Sequence, residues 1–197
     1  LARLNGPEVR LQGTPTSVNG LFFLAVPGAG VMGLNIYGFG TSALPAQGMY
    51  FFRCTAPFAA QNVLGPSAST FGTDDPGPGN RKYMSYIDVN RSPNARVTNN
   101  LVSFAQRDGV LIGFDSDNAL VANNEVVGNA QDAAASLFVR NIQVLSPQGT
   151  VTGNRVAGSG TDGVYFNYTA LGGTASNNTI EGNGLLGNPR SGGLYSE

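Results

Sequence analysis

The side chains best suited to chemistry in this sequence are two close pairs of acids, Asp74-Asp75 and Asp115-Ser116-Asp117. Two carboxylates on one turn can share a Ca²⁺ ion through their oxygens or divide the roles of general acid and base. Asp115 and Asp117 follow the apolar run Gly109-Val110-Leu111-Ile112, so a turn just after a strand would carry them. They are the candidates for a carboxylate or Ca²⁺ site, which would need further ligands from elsewhere. The plainer reading is a solvated Asp-rich turn. Beyond this Ca²⁺ the sequence points to no cofactor, and no metal site is assigned. With no His in the chain, His-based triads and His-ligated metal centres are excluded, and the lone Cys54 excludes an internal disulfide.

The elements that would position these groups follow from composition and spacing. The chain has 197 residues, 11 Lys+Arg against 12 Asp+Glu, and only 12% charged residues. It contains no basic run, which argues against nucleic acid as a partner. The 28 Gly and 11 Pro interrupt the chain too often for long helices. At 41% apolar, however, it is too rich for disorder. No apolar stretch reaches the roughly 18 residues of a membrane span.

Two motifs recur. A small residue followed by an apolar run starts at 20, 48, 109, 136, 163 and 193, and Lys82-Tyr83-Met84-Ser85 fills the gap. Three consecutive steps are then 27 residues long. Between them comes Val97-Thr98-Asn99-Asn100-Leu101-Val102, repeated from Val121, Val151 and Ala175, with looser copies ending at Ile36 and Val63. Short runs of Val, Ile, Phe and Tyr bounded by Gly and Asn are strands. Paired Asn suits a tight bend, because Asn tolerates left-handed backbone and bonds its own main chain. Two motifs interleaved in this way predict a solenoid. Asn100, Asn124, Asn154 and Asn178 would stack in one column about 4.8 Å apart, with their amides bonded along it.

Alternation along the first strand assigns the faces. Val110, Val164 and Phe166 are predicted to point inward. Phe22, Tyr50, Met84, Leu111, Phe138 and Tyr165 would then point outward as an apolar and aromatic stripe. Such a patch is normally covered. The candidates for its cover are the long loop at 65–81, a neighbouring subunit, or a sugar stacking on the rings. Beside it a polar column would hold Asn19, Gln47, Arg81, Asp108, Ala135 and Asp162. Arg81 and Asp108 would lie on adjacent coils and pair, at about 0–1 kcal/mol for an exposed pair.

The strand, Asn-Asn bend and Val/Ile strand resemble the right-handed parallel β-helix, or pectin-lyase-like, superfamily over essentially Gly20 to Tyr195. The resemblance implies an all-β, single-stranded parallel solenoid of about seven coils. It also implies a polysaccharide groove on the sheet that carries the stripe, in those members that act on glycans. Arg91-Ser92-Pro93-Asn94-Ala95-Arg96 resembles the R-x-P-x-x-R signature of pectate lyases, and Tyr86-Ile87-Asp88 their W-I-D-H, with Val89 where the His belongs. The two motifs nearly touch here, whereas in pectate lyases they lie far apart, so coincidence is the plainer explanation. Fold alone does not choose a function.

The chain is therefore expected to be one β-helix domain, 1–197, or a piece of a longer solenoid, because neither end resembles a cap. An extracellular or cell-surface structural or binding module is expected. Its partners would be other protein subunits, flanking segments of the same protein, or polysaccharide. The alternative is a carbohydrate-active enzyme, although no catalytic residue is assigned. Asn90-Arg91-Ser92, Asn167-Tyr168-Thr169 and Asn177-Asn178-Thr179 match the glycosylation pattern.

Overall fold

A computed structural model describes residues 9–14, 17–40, 46–66, 73–77, 79–82, 84–132, 139–187 and 192–196. Each turn of the chain lays down three short strands, and every strand pairs in parallel with its equivalent one coil on. Two seven-stranded sheets, A and B, and one six-stranded sheet, C, result. Among the described residues there is no helix. This is the solenoid that the repeat predicts, in the parallel β-helix form that the resemblance implies.

Sheet A begins at Val9–Gln12 and ends at Thr179–Glu181, and sheet B runs from Leu21–Leu24 to Leu194–Ser196. Sheet C runs from Gly30–Met32 to Thr174–Ser176. The inward residues of the three sheets meet in one core. Met49, Ile87, Val110, Ile142 and Val164 stack along sheet B, and Ile36, Leu64, Val102, Val126 and Val156 along sheet A. Val110, Val164 and Phe166 are buried as the alternation predicts. The sheet A column passes through Leu64, not Val63, which faces outward and is covered in a separate pair with Leu101.

The bend from sheet C to sheet A carries the Asn ladder. Each side-chain amide donates to the next Oδ1, at 2.9 Å from Asn100 to Asn124 and 3.0 Å from Asn124 to Asn154 and from Asn154 to Asn178. Each Oδ1 also accepts the backbone N–H of the Asn one coil back, at 2.9 Å for all three pairs. The second amide hydrogen goes to an inner carbonyl, as from Asn124 to Val97 at 2.8 Å. Asn62, which the sequence reading missed, extends the ladder, donating to Asn100 at 3.0 Å. The residue before each ladder Asn takes left-handed backbone, with φ of 57° at Asn99, 56° at Asn123 and 54° at Asn177. Replacing Asn124 by Ala is expected to cost about 1–3 kcal/mol in urea unfolding, since buried donors and acceptors lose their partners. A change below a few tenths of a kcal/mol would mean that the ladder is not a source of stability.

Two further columns work in the same way. Asn129 donates to Asn141 at 2.8 Å and Asn141 to Asn183 at 3.2 Å, at the bend into sheet B. At the bend out of it, Cys54, Ser92 and Ser116 pass backbone N–H groups to the hydroxyls of Ser92, Ser116 and Ser146. Cys54 is thus a buried free thiol filling a serine position.

Candidate functional site

The outer face of sheet B differs from the predicted stripe. The third strand is Met84–Asn90, and it places Met84 beside Ala46 and Asp88 beside Tyr50. The fifth is Ile142–Val144, with Gln143 beside Leu111 and Tyr165. The outward column therefore reads Phe22, Tyr50, Asp88, Leu111, Gln143, Tyr165 and Tyr195. Met84 does not belong to it, and Phe138, which lies outside the described residues, is replaced by Gln143. The reason is chemical. Ile142-Gln143-Val144 alternates apolar, polar, apolar as a half-buried strand should, whereas a search for unbroken apolar runs selects Leu137-Phe138-Val139.

The column is aromatic towards its ends, and its middle holds Asp88 and Gln143 on either side of Leu111. At one end Phe22 stacks on Tyr50 with centroids 5.2 Å apart, and Tyr50 tilts against Phe52 at 5.7 Å. Arg53 and Arg91, on adjacent coils, hold their guanidinium carbons 5.2 and 5.8 Å from the Phe52 ring centre. At the other end Tyr165 and Tyr195 stack at 5.7 Å with planes 6° apart, and the Arg140 guanidinium lies 4.7 Å from the Tyr165 ring centre.

Between these ends sits Asp88, only 6% exposed although it faces outward. Gln47 donates its amide to Oδ2 at 3.5 Å, while Oδ1 is shielded and has no hydrogen-bond donor. Burial, and then the neighbouring Asp108, push the Asp88 carboxyl up to about 7. Burial also raises Asp108, to about 6, against the pull of the Arg140 backbone N–H and the charges of Arg107 and Arg140. The Tyr50 hydroxyl is raised by burial and by Asp88.

Asp108 has a structural task as well. The column at the bend into sheet B reads Asn19, Gln47, Ser85, Asp108, Arg140 and Asp162. Arg81 is not in it and does not pair with Asp108, and Ala135 lies outside the described residues. Arg81 instead binds Asp132 at 2.6 Å and Asp75 at 2.9 Å. Carboxyl or amide oxygens in the column receive the N–H of the next coil. Asn19 takes that of Gln47 at 3.0 Å, Asp108 that of Arg140 at 2.8 Å, and Asp162 that of Gly192 at 2.9 Å. Arg140 and Asp162 also form an ion pair at 2.5 Å.

Asp115 and Asp117 stand apart from this face. Asp115 is exposed on its turn, 3.8 Å from Arg91, and the carbonyl of Asp117 receives the Asn94 N–H at 2.8 Å. Asp75 is held by Arg81. Among the described residues no cluster of three or more His, Cys, Asp or Glu is placed to hold a metal ion. Of the pectate-lyase-like segments, Tyr86 is a core ring, Arg91 a turn residue and Arg96 the exposed start of a sheet C strand. Of that group, Asp88 stands on the sheet B face itself, and Arg91 reaches its edge over the Phe52 ring. A search for close acid pairs passes over Asp88 and Asp108, because the neighbours are made by winding, not by sequence.

No curated protein matches the chain. Residues 80–196, more than half of its length, match the family described as right handed beta helix region. The match spans the middle and the second aromatic end of the sheet B face, and the chain belongs to the right-handed β-helix family.

Proposed function

We propose that the chain is an extracellular polysaccharide-binding module whose binding surface is the outer face of sheet B. The observation that carries this reading is the order of side chains along the face: aromatic ends, with a carboxyl, a leucine and an amide between them. A protein interface gathers its aromatic residues at the centre inside a polar rim, whereas here they stand at the two ends and polar groups flank the central Leu111. A sugar chain suits the observed order, since its ring faces stack on aromatics while its hydroxyls need hydrogen-bonding partners. Seven strands at about 4.8 Å give a face of roughly 29 Å, room for several sugar rings in a row. Half-exposed Phe22, stacked on Tyr50, offers a ready platform.

Affinity electrophoresis through xylan, hydroxyethylcellulose and polygalacturonate tests the reading. Retardation by at least one is expected. Replacing Phe22 and Tyr50 together by Ala should weaken it about tenfold, equivalent to 1.4 kcal/mol. A shift in oligomeric state on the same replacement, without any change in retardation, would turn the face into a subunit contact.

A glycan-cleaving site is the second reading. It is supported by Asp88 and Asp108, carboxyls held near the pH range where an acid can still donate a proton. Release of reducing ends that disappears in Asp88→Asn would establish it.

A further inference from the structure

We propose that ligand binding on the sheet B face is proton-linked, with Asp88 as the group that takes up the proton. The inference rests on the polysaccharide reading above and adds its regulation. Asp88 occupies the middle of the face, between Tyr50 on one side and Leu111 on the other. The groups around it are few. The preceding coil supplies Gln47 and Tyr50, its own strand Ser85, and the next coil Arg107 and Asp108. Asp108 is a like charge, and its oxygens are engaged by the Arg140 N–H and the Ser85 hydroxyl. Arg107 favours ionisation of Asp88, but by less than burial and Asp108 together oppose it.

An ionised carboxylate with one shielded, donorless oxygen is poorly solvated. Beyond the charge of Arg107, it has the long Gln47 contact and the remaining 6% of exposure to draw on. A sugar ring laid across Tyr50 and Leu111 closes that remaining opening. Covering the group penalises its charged form further, so the bound state holds the proton more tightly than the free state. By linkage, a proton then favours the ligand as much as the ligand favours the proton. Below the free-state titration near pH 7, Asp88 is already neutral and pH has no effect. Above it, binding must take up a proton, and affinity falls by up to about tenfold per pH unit.

The test is calorimetric titration of the whole chain with xylan, hydroxyethylcellulose and polygalacturonate from pH 6 to pH 9. Running it at pH 8 in phosphate and in Tris counts protons through the difference in buffer heats. The wild type should lose affinity steadily above pH 7 and take up close to one proton at pH 8. Asp88→Asn should show no trend between pH 6 and pH 9 and no proton uptake, whatever its absolute affinity. Asp108→Asn should retain the trend. A flat wild-type profile, or a trend that survives in Asp88→Asn, would overturn the proton linkage while leaving polysaccharide binding intact. Absence of binding to all three polymers at every pH would overturn both. If Asp88→Asn does not fold, carbon NMR of the Asp88 carboxyl in the wild type decides. Its midpoint should rise on adding the polymer, and an unmoved midpoint would sink the proposal.

Discussion

Replacing Arg81 by Ala is expected to lower the unfolding free energy by about 3–5 kcal/mol, because it strands a buried acid. The Arg81 guanidinium is 2% exposed, and its partner Asp132 is 4% exposed. One Arg81 nitrogen donates to Asp132 at 2.6 Å, and the other bonds both oxygens of Asp75 and the Gln131 amide oxygen at 2.9 Å. The plane also lies 5.9 Å from the Phe104 ring centre. Asp132 Oδ2 already has no hydrogen-bond donor, so loss of the cation leaves a nearly bare buried charge. Arg81→Lys should cost less, since it keeps the charge and loses only the fork. Arg81→Met combined with Asp132→Leu should recover much of the loss, because an apolar pair needs no partner. Urea unfolding of the three variants gives the comparison, and a single-mutant loss under 1 kcal/mol would show that water reaches the pair. Arg81, three residues before the strand that carries Asp88, ties Asp75 to the corner at Gln131 and Asp132. Its loss is therefore expected to loosen the phase of that strand as well.

That phase is where reading the sequence and reading the structure part. The Asn ladder was legible because the bend between sheets C and A makes a strict demand. It needs left-handed backbone followed by a side chain that can bond both up and down the column, and Asn99-Asn100 or Asn123-Asn124 supplies both. The bend into sheet B makes no such demand on length. The inward positions Met49, Ile87, Val110, Ile142 and Val164 are paired strand by strand, yet their separations are uneven. The three even steps of 27 came from Lys82 and Ser136, which do not begin their sheet B strands. Misplacing those two coils put Met84 and Phe138 where Asp88 and Gln143 stand, and so hid the polar groups in the middle of the face. Register errors of this kind change the chemistry of a surface without changing the fold.

Replacing Asp88 by Asn is expected to stabilise the protein at pH 8 by on the order of 3 kcal/mol and to leave it nearly unchanged at pH 3. The folded-state carboxyl titrates at about 7, against an ordinary 3.8 in the unfolded chain. Each unit of such a difference is worth 1.36 kcal/mol, and relaxation of a site that retains 6% exposure trims the total. The sign follows from which form folding disfavours. Below pH 3.8 the acid is protonated in both states, and the wild type has its full stability. Between about pH 4 and pH 7 the unfolded chain gives up its proton while the folded chain keeps it, so stability falls as pH rises. Above pH 7 both are ionised and the penalty is complete. Asn carries no charge in either state and skips the decline, so the gap between the two proteins should open across that window and then stay constant. Asp108 adds a decline of the same sign ending near pH 6, and Asp88→Asn should retain that smaller part. Thermal unfolding at pH 3, 5.5 and 8 measures the gap at its start, middle and end. A gap that is constant across the three would mean that Asp88 is solvated as an ordinary surface acid, and a gap that opens as pH falls would mean that a cation holds its charged form; either result overturns the prediction.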